Sequence, residues 1–252
     1  SDVYKRQDYT YGPQKKVNRL LTLYANYNKL VESIKSSFDV TAGYDYQYWK
    51  STTPLYYETN TLGEIQKTSK ATDDRHVLLS YYGRLNYSFD SRYMLTTTVR
   101  RDATSRFAKN VRWGTFPSVA LGWRMTEESF LKDNKILSTL KLRASYGVTG
   151  QQDGIGNYNY LPVYNISQSG ASSLIGGSPI HTYRPEAYVP DLKWETTTSW
   201  NAGFDFGFLQ DRITGSFDYY TRQTKDLIAT VPAAAGTTFD RNITCLLYTS
   251  PS

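Results

Sequence analysis

Residues 75–89 read RHVLLSYYGRLNYSF, and their side chains alternate between two kinds along the chain. The apolar side chains share one parity, at Val77, Leu79, Tyr81, Leu85, Tyr87 and Phe89. The other parity carries His76, Ser80, Arg84, Asn86 and Ser88. Because a β-strand projects successive side chains to opposite faces, this segment predicts a strand with one apolar and one polar face.

The same alternation recurs along the chain and predicts about eight strands, most of them near the ~10 residues of a tilted membrane strand. The apolar positions of the other strands lie within residues 21–27, 38–48, 93–99, 119–123, 140–148, 200–208 and 213–224. Tight turns are predicted at Asp90-Ser91-Arg92 and Gln210-Asp211-Arg212, and long polar loops at 50–74 and 150–192. Short and long joins that alternate in this way are typical of a membrane barrel.

The segment 126–139 is longer than a tight turn and is predicted to hold a short helix. Thr126 would be the N-cap residue, before Glu127 and Glu128.

Composition narrows the class of protein. The 252 residues include 23 Tyr, 10 Phe and 5 Trp, yet the mean hydropathy is −0.55, which favours strands over helices. No stretch approaches the roughly 18 apolar residues of a membrane-spanning helix, so membrane residence would require a barrel.

The net charge is +6, but Lys and Arg are scattered, and no nucleic-acid partner is predicted. The single Cys245 excludes an intramolecular disulfide and a cysteine-built metal site.

Alternation alone does not separate a membrane barrel from a soluble sandwich or barrel, because both have one apolar face. A closed barrel of about eight strands has an interior barely wide enough for side chains, and this many aromatic rings would overfill it. The polar parity carries mid-strand arginines, which suit a hydrated lumen, whereas a lipid-facing arginine would cost roughly 2–4 kcal/mol. We therefore predict an all-β fold: an antiparallel, up-and-down transmembrane β-barrel segment of about eight strands that forms an incomplete barrel.

Aromatic residues near the strand ends fit the girdles that such barrels place at the two membrane interfaces. The predicted girdle residues are Tyr44, Tyr46, Tyr48, Trp49, Trp113, Trp123, Trp194 and Trp200.

Residues 81–132 read YYGRLNYSFDSRYMLTTTVRRDATSRFAKNVRWGTFPSVALGWRMTEESFLK, and residues 140–152 read LKLRASYGVTGQQ. Both stretches resemble the barrel of TonB-dependent transporters of the SusC/RagA family. Residues 191–228, DLKWETTTSWNAGFDFGFLQDRITGSFDYYTRQTKDLI, resemble a later hairpin of that barrel.

The resemblance implies a barrel of ~22 strands with a plugged lumen, in the outer membrane of a Gram-negative, Bacteroidota-like bacterium. It also implies energy supplied through the TonB complex, contact with outer-membrane lipid, a SusD-like lipoprotein partner, and import of oligosaccharides or peptides. Both ends, SDVYKRQ at 1–7 and CLLYTSPS at 245–252, resemble translated adaptor sequence. We therefore expect residues 8–244 to be part of a receptor barrel without its plug domain, unable to transport alone.

Catalysis finds little support in the sequence. There are two histidines, His76 and His181, with no Gly-x-Ser-x-Gly elbow and no zinc-ligand spacing. No catalytic residue, cofactor or metal is predicted, and His76 is expected at a solvated rim position.

A group of charged side chains is predicted on the lumen face and at the rim: Arg84, Arg100, Arg101, Asp102, Arg106, Arg124 and Arg143. These residues would either brace the rim or touch substrate, and bracing is favoured because Asp102 would offset its neighbouring arginines.

Five tyrosines of the loop 150–192 are the candidate substrate-binding residues: Tyr158, Tyr160, Tyr164, Tyr183 and Tyr188. Among Gly, Ser and Asn, such rings are able to stack on sugars or hydrogen-bond peptides. The alternative is that they pack the loop against itself or a lid protein.

Uptake of a bulky nutrient is the leading functional hypothesis. A passive porin or structural barrel is the second, and a soluble carbohydrate-binding β-domain is the third.

Overall fold

The computed structural model describes residues 8–10, 13–59, 62–132, 134, 136–166, 172–176, 178–181, 183–185, 191–232 and 241–246. Within them, eight long strands form one antiparallel sheet in which every strand pairs with its neighbours in sequence. The strands are β1 (Lys15–Val31), β2 (Ser36–Thr53), β3 (Thr72–Phe89), β4 (Tyr93–Thr104), β5 (Trp113–Arg124), β6 (Leu137–Gln151), β7 (Glu195–Phe208) and β8 (Ile213–Lys225). The predicted all-β, up-and-down sheet is confirmed, and across the described residues β1 and β8 are its two unpaired edges.

The strands are longer than the ~10 residues expected of a membrane strand. They run from 12 residues in β4 and β5 to 18 residues in β2 and β3. Pairing therefore continues beyond the thickness of a bilayer. The extra length lies toward the ends joined by the long loops, where β2 and β3 stay paired as far as Thr53 and Thr72.

Tight turns join the strands at one rim, which we call the short-turn rim. Asp90 and Ser91 have φ angles of 49° and 55°, and Arg92 N donates to Phe89 O at 2.9 Å, as in the type I′ turn that matches strand twist. The predicted turn at Gln210–Arg212 is also confirmed, with positive φ at Leu209, Gln210 and Asp211.

The connector between β5 and β6 differs from its prediction. A 3-10 helix spans Met125–Glu127, its N-cap residue is Arg124, and no side chain caps it, so the assignment of Thr126 as N-cap is wrong. Glu128 instead accepts hydrogen bonds from Tyr93 Oη at 2.6 Å and Trp123 Nε1 at 3.1 Å. These bonds lower the pKa of Glu128 below its ordinary value, with Arg92 adding to the effect. After the 3-10 helix, Leu131 N and Lys132 N donate to Glu128 O at 3.0 and 2.9 Å, so the segment continues as turns.

The opposite rim, which we call the long-loop rim, carries the described parts of the segments 54–71, 105–112 and 152–194. The first and third of these segments, predicted as loops, contain short strands. Asp8–Thr10, Tyr56–Thr59 and Ile65–Ser69 form a three-stranded sheet, Tyr164–Ile166 pairs with Tyr183–Pro185, and Ser172–Ile175 pairs with Ser178–His181. After β8, Leu227–Pro232 pairs with Arg241–Leu246, which places Cys245 opposite Ile228.

The buried apolar core of the described residues lies at the long-loop rim rather than under the sheet. It consists of Phe107, Phe116, Ile155, Leu192 and Trp194. Trp194 meets Phe107 and Phe116 edge-on, with ring centroids 5.5 and 5.3 Å apart, and its Nε1 donates to Arg112 O at 2.9 Å. This rim core holds the segments 105–112, 152–155 and 192–194 against the ends of the strands. No helix among the described residues is long and apolar enough to cross a membrane.

Candidate functional site

One face of the sheet consists of large apolar side chains that no other described element covers. Register places Leu142, Phe204 and Phe217 side by side on β6, β7 and β8. Leu121 is 57% exposed, and Phe217 and Trp200 are each 58% exposed. Leaving such side chains in water costs about 25 cal/mol per Å² of apolar surface. This apolar face therefore requires a hydrocarbon environment.

A soluble β-domain would instead require the apolar face to enclose a dry centre. Phe204 and Leu142 are each 37% exposed, and Phe206 and Leu79 are only half-buried. Since these side chains do not converge on a core, the hypothesis of a soluble carbohydrate-binding domain is wrong.

The structure shows which face of the sheet holds the predicted girdle residues, and two of the predictions are wrong. Trp123 stacks on Tyr93 at the short-turn rim, and Trp113 stacks on Tyr81 nearer the long-loop rim, both on the apolar face. Trp49 lies on the opposite face because its register partner is His76, and Trp194 is buried in the rim core at 6% exposure. Strand-end position suggested the girdle for these two, but parity and loop packing decide where they point.

The other face of the sheet is polar, and Arg100 has the most contacts on it. Its Nε donates to Asp102 at 2.9 Å, and its Nη2 donates to Ser80 Oγ at 2.8 Å. The same guanidinium lies 3.5 Å from Asp45 and 5.7 Å from the centroid of the Tyr82 ring. Strands β2, β3 and β4 are thus joined on the polar face by one planar cation.

Arg143 makes a similar cluster nearer the short-turn rim. Its Nε and Nη2 donate to the two oxygens of Asp205 at 3.0 and 2.8 Å, and Nη2 also donates to Asp218 at 3.1 Å. Three neighbouring strands, β6, β7 and β8, are joined by a bidentate pair and a second carboxylate. Such charge-assisted pairs are stronger than neutral hydrogen bonds and fix geometry as well.

The remaining arginines of the predicted group are placed differently from one another. Arg84 and Arg124 lie on the polar face, and their side chains have no ion pair or hydrogen-bond partner among the described residues. Arg101 lies on the apolar face and not on the predicted lumen face, because its register partner is Tyr81, and its guanidinium is 5.1 Å from the centroid of the Trp113 ring.

Arg106 joins two loops to the start of β3. Its Nε donates to Asn157 Oδ1 at 2.9 Å, its Nη1 donates to Gln152 O at 3.2 Å, and Asp153 lies 3.6 Å away. Asn157 in turn donates to Asp74. The structure thus places Arg106 away from the Arg100 cluster, as the residue that fastens the loop 152–157.

The candidate tyrosines of the long loop are partly described. Tyr158 and Tyr160 lie in the turn at 157–160, and Tyr158 is 43% exposed. Tyr164 and Tyr183 are 63% and 67% exposed and share one face of a two-stranded ribbon, because Ile166 pairs with Tyr183. Tyr188 lies outside the described residues.

A pocket of about 470 Å³ opens on the polar face at the long-loop rim, and we call it the rim pocket. Asn18, Trp49 and His76 stand opposite one another on β1, β2 and β3 and form its floor. Asp74, Arg106 and Gln152 are among its walls. His76 is 7% exposed, stacks on Trp49 with centroids 4.8 Å apart, and meets Thr104 Oγ1 at 3.1 Å, so the prediction of a solvated His76 is wrong.

Sequence reasoning missed this pocket, although one signal was present. Trp49 has the opposite parity from Tyr44, Tyr46 and Tyr48, which places it on the polar face of β2. No local sequence pattern predicts the walls of the pocket, which are formed by Arg106, Gln152 and Asn157. These residues reach it only because their loops fold back over the sheet.

A single-layer sheet with one face for hydrocarbon, one for water, and rims of turns and loops defines the wall of a transmembrane β-barrel.

Comparison with known proteins specifies the family. The family model described as TonB dependent receptor-like, beta-barrel, matches residues 1–249. TonB-dependent receptor SusC of Bacteroides thetaiotaomicron is 44% identical over 234 residues, which cover 87% of this chain and 23% of that protein. TonB-dependent receptor P39 of Formosa agariphila is 35% identical over 85% of this chain and 21% of its own length.

Among solved structures, the RagAB peptide transporter matches with a TM-score of 0.77 at 24% identity, over 91% of this chain and 26% of that one. The chain belongs to the TonB-dependent receptor β-barrel family, and the SusC/RagA resemblance is confirmed. It spans about a quarter of the length of the relatives it matches.

Proposed function

We propose that this chain forms part of the wall of a TonB-dependent transporter that imports oligosaccharides or other bulky nutrients across the outer membrane of a Bacteroidota-like bacterium. The observation that carries the proposal is the two-faced sheet. Its apolar face suits lipid, and its polar face holds charged side chains in internally paired clusters. The 44% identity to a TonB-dependent receptor of Bacteroides supports the same conclusion.

Within that function, the Arg100 and Arg143 clusters brace the wall. Each joins three strands and pairs its arginine with two carboxylates of the sheet itself, so neither needs a ligand to be neutralised. Arg84 and Arg124, which have no partner among the described side chains, face the contents of the lumen. The loop tyrosines Tyr164 and Tyr183 are ligand contacts, on the strength of their shared, exposed face.

We assign residues 8–244 to the barrel wall. The plug, which contacts the TonB complex, would then belong to the rest of the receptor, and a SusD-like lipoprotein would cover the long-loop rim. This arrangement places the exposed loops of the rim where a lid and an incoming ligand meet them.

The test is uptake by the full-length receptor in a Bacteroidota host from which its own gene has been deleted. We expect uptake of fluorescent oligosaccharides or oligopeptides that is abolished when TonB is removed and reduced when the adjacent SusD-like gene is removed. Uptake that persists without TonB would instead establish a passive pore.

A further inference from the structure

We propose that the rim pocket is a binding site for one uncharged sugar ring of the transported ligand, with Trp49 as the surface on which the ring packs. The inference rests on the proposed function, because it assumes that ligand passes along the polar face. It adds to that function the residues that form the site and the kind of ligand group that binds there.

The position of the pocket suits a first contact with ligand. Its floor is the polar face of β1, β2 and β3, and its walls come from the loop residues Arg106, Gln152 and Asn157 at the long-loop rim. A ligand that enters between the loops therefore meets the pocket before it reaches the Arg100 cluster further down the same face. The volume of about 470 Å³ lies within the range of small-molecule sites.

The floor offers a flat aromatic surface that is already held in place. Trp49 and His76 are nearly parallel, with an interplanar angle of 11°, and His76 is fixed in turn by Thr104 Oγ1. An indole has an extended, electron-rich face, which packs against the slightly positive C–H groups on one side of a pyranose ring. A surface held in advance loses little conformational entropy when ligand binds.

Most of the charged groups around that surface are already paired within the protein: Arg106 with Asp153, Lys50 with Asp73, and Asp74 with the amide of Asn157. Lys16, which also lines the pocket, has no ion pair among the described residues, and its ammonium can donate to a sugar hydroxyl. A cationic ligand would have to break one of the existing pairs. A hydroxyl both donates and accepts, so it joins such a network without displacing it.

The amide of Gln152 adds a further polar group to the wall of the pocket. Its Oε1 makes no hydrogen bond of standard geometry among the described residues, although it lies close to the ring of His76. An amide both donates and accepts, which suits the hydroxyls of a sugar. A peptide also brings donors, but it lacks the flat C–H face that the indole matches, so we take the sugar as the occupant.

The experiment measures binding to the detergent-purified full-length receptor by isothermal titration calorimetry. The probes are α- and β-linked glucan, xylan and mannan hexasaccharides, and a panel of hexapeptides. The variants are Trp49→Ala, Trp49→Phe, Gln152→Leu and Asn18→Ala. Trp200→Ala, which removes an indole from the apolar face, is the control.

We expect Trp49→Ala to weaken binding of the preferred hexasaccharide about tenfold and Trp49→Phe to retain most of the affinity. Gln152→Leu and Asn18→Ala should each weaken the binding affinity several-fold. Asn18 is exposed on β1, so it can be changed without loss of packing. Trp200→Ala should leave the affinity unchanged. Should Trp49→Ala fail to fold, the Asn18 and Gln152 variants decide the matter.

Saccharide binding that none of the pocket variants alters would overturn the site while leaving the proposed function intact. Binding of peptides alone, or of no saccharide in the panel, would overturn the sugar class. TonB-independent uptake would count against the proposed function and would be seen separately, in cells.

Discussion

Arg143 and Asp205 face each other across neighbouring strands and share two hydrogen bonds, of 3.0 and 2.8 Å, on the polar face of the sheet. Asp218 on the next strand completes the cluster, so one guanidinium lies between two carboxylates. Removal of the arginine would leave those carboxylates to repel each other.

Arg143→Ala should therefore lower the free energy of unfolding of the full-length receptor. The loss should be on the order of 1 kcal/mol, because the cluster is partly solvated. Heat-modifiability on gel electrophoresis, which separates folded from unfolded barrels, measures the effect. The triple variant Arg143→Ala, Asp205→Asn, Asp218→Asn should recover part of the loss. A triple variant no more stable than the single one would show that charge pairing is not the cause.

The second prediction concerns Gly150, which lies against the ring of Phe116. A Cβ at Gly150 would come within 2.0 Å of that ring. Gly150→Ala should therefore lower the free energy of unfolding by about 1–3 kcal/mol, because it overpacks the rim core. Gly83→Ala is the matched control, because nothing lies within 4 Å of a Cβ there. Thermal unfolding should separate the two variants, and Phe116→Leu should rescue Gly150→Ala. Equal stabilities for the two alanine variants would argue against the packing described.

The third prediction is a pH dependence at the short-turn rim. The hydrogen bonds from Tyr93 and Trp123 hold the pKa of Glu128 below its ordinary value of 4.5. A carboxylate with a lowered pKa stabilises the folded state above the unfolded pKa, and this contribution is lost as the pH falls through the folded pKa. Wild type should therefore be more stable than Glu128→Gln at neutral pH, and the difference should shrink below about pH 4.5. A difference that stays constant down to acid pH would exclude this carboxylate as its source.

The fourth prediction compares adjacent residues of β1. Leu23→Arg places a charge on the apolar face and should cost roughly 2–4 kcal/mol if that side chain lies near the bilayer midplane. Thr22→Arg places the same charge on the polar face, opposite Asp45, and should be tolerated. The yield of folded receptor in the outer membrane measures both. Similar yields for the two variants would mean that the faces are wrongly assigned.

The eight strands were predictable because their signal is local. In 75–89, parity alone separates Leu79 and Tyr81 from Ser80 and Arg84, and the structure keeps that separation throughout β3. The turn at Asp90–Arg92 could also be predicted from the sequence, since the chain has to reverse between two such strands.

The rim was not predictable in the same way. His76 contacts Thr104, and Arg106 contacts Asn157, across 28 and 51 residues of sequence. No period or short motif records such contacts, because they depend on how loops return over a sheet. Similarly, Glu128 bonds to Tyr93, 35 residues earlier in the sequence, and the segment forms a 3-10 helix where a helix capped by Thr126 was predicted.

The most direct test asks which medium each face of β7 meets. Single cysteines at Thr197, Ser199, Asn201, Trp200, Ala202 and Phe204 are introduced into a cysteine-free full-length receptor, spin-labelled and reconstituted in lipid. Electron paramagnetic resonance should show positions 200, 202 and 204 more accessible to oxygen, which concentrates in hydrocarbon. Positions 197, 199 and 201 should be more accessible to a water-soluble nickel complex. The opposite phase, or no alternation, would contradict a wall with lipid on its apolar face and water on its polar face.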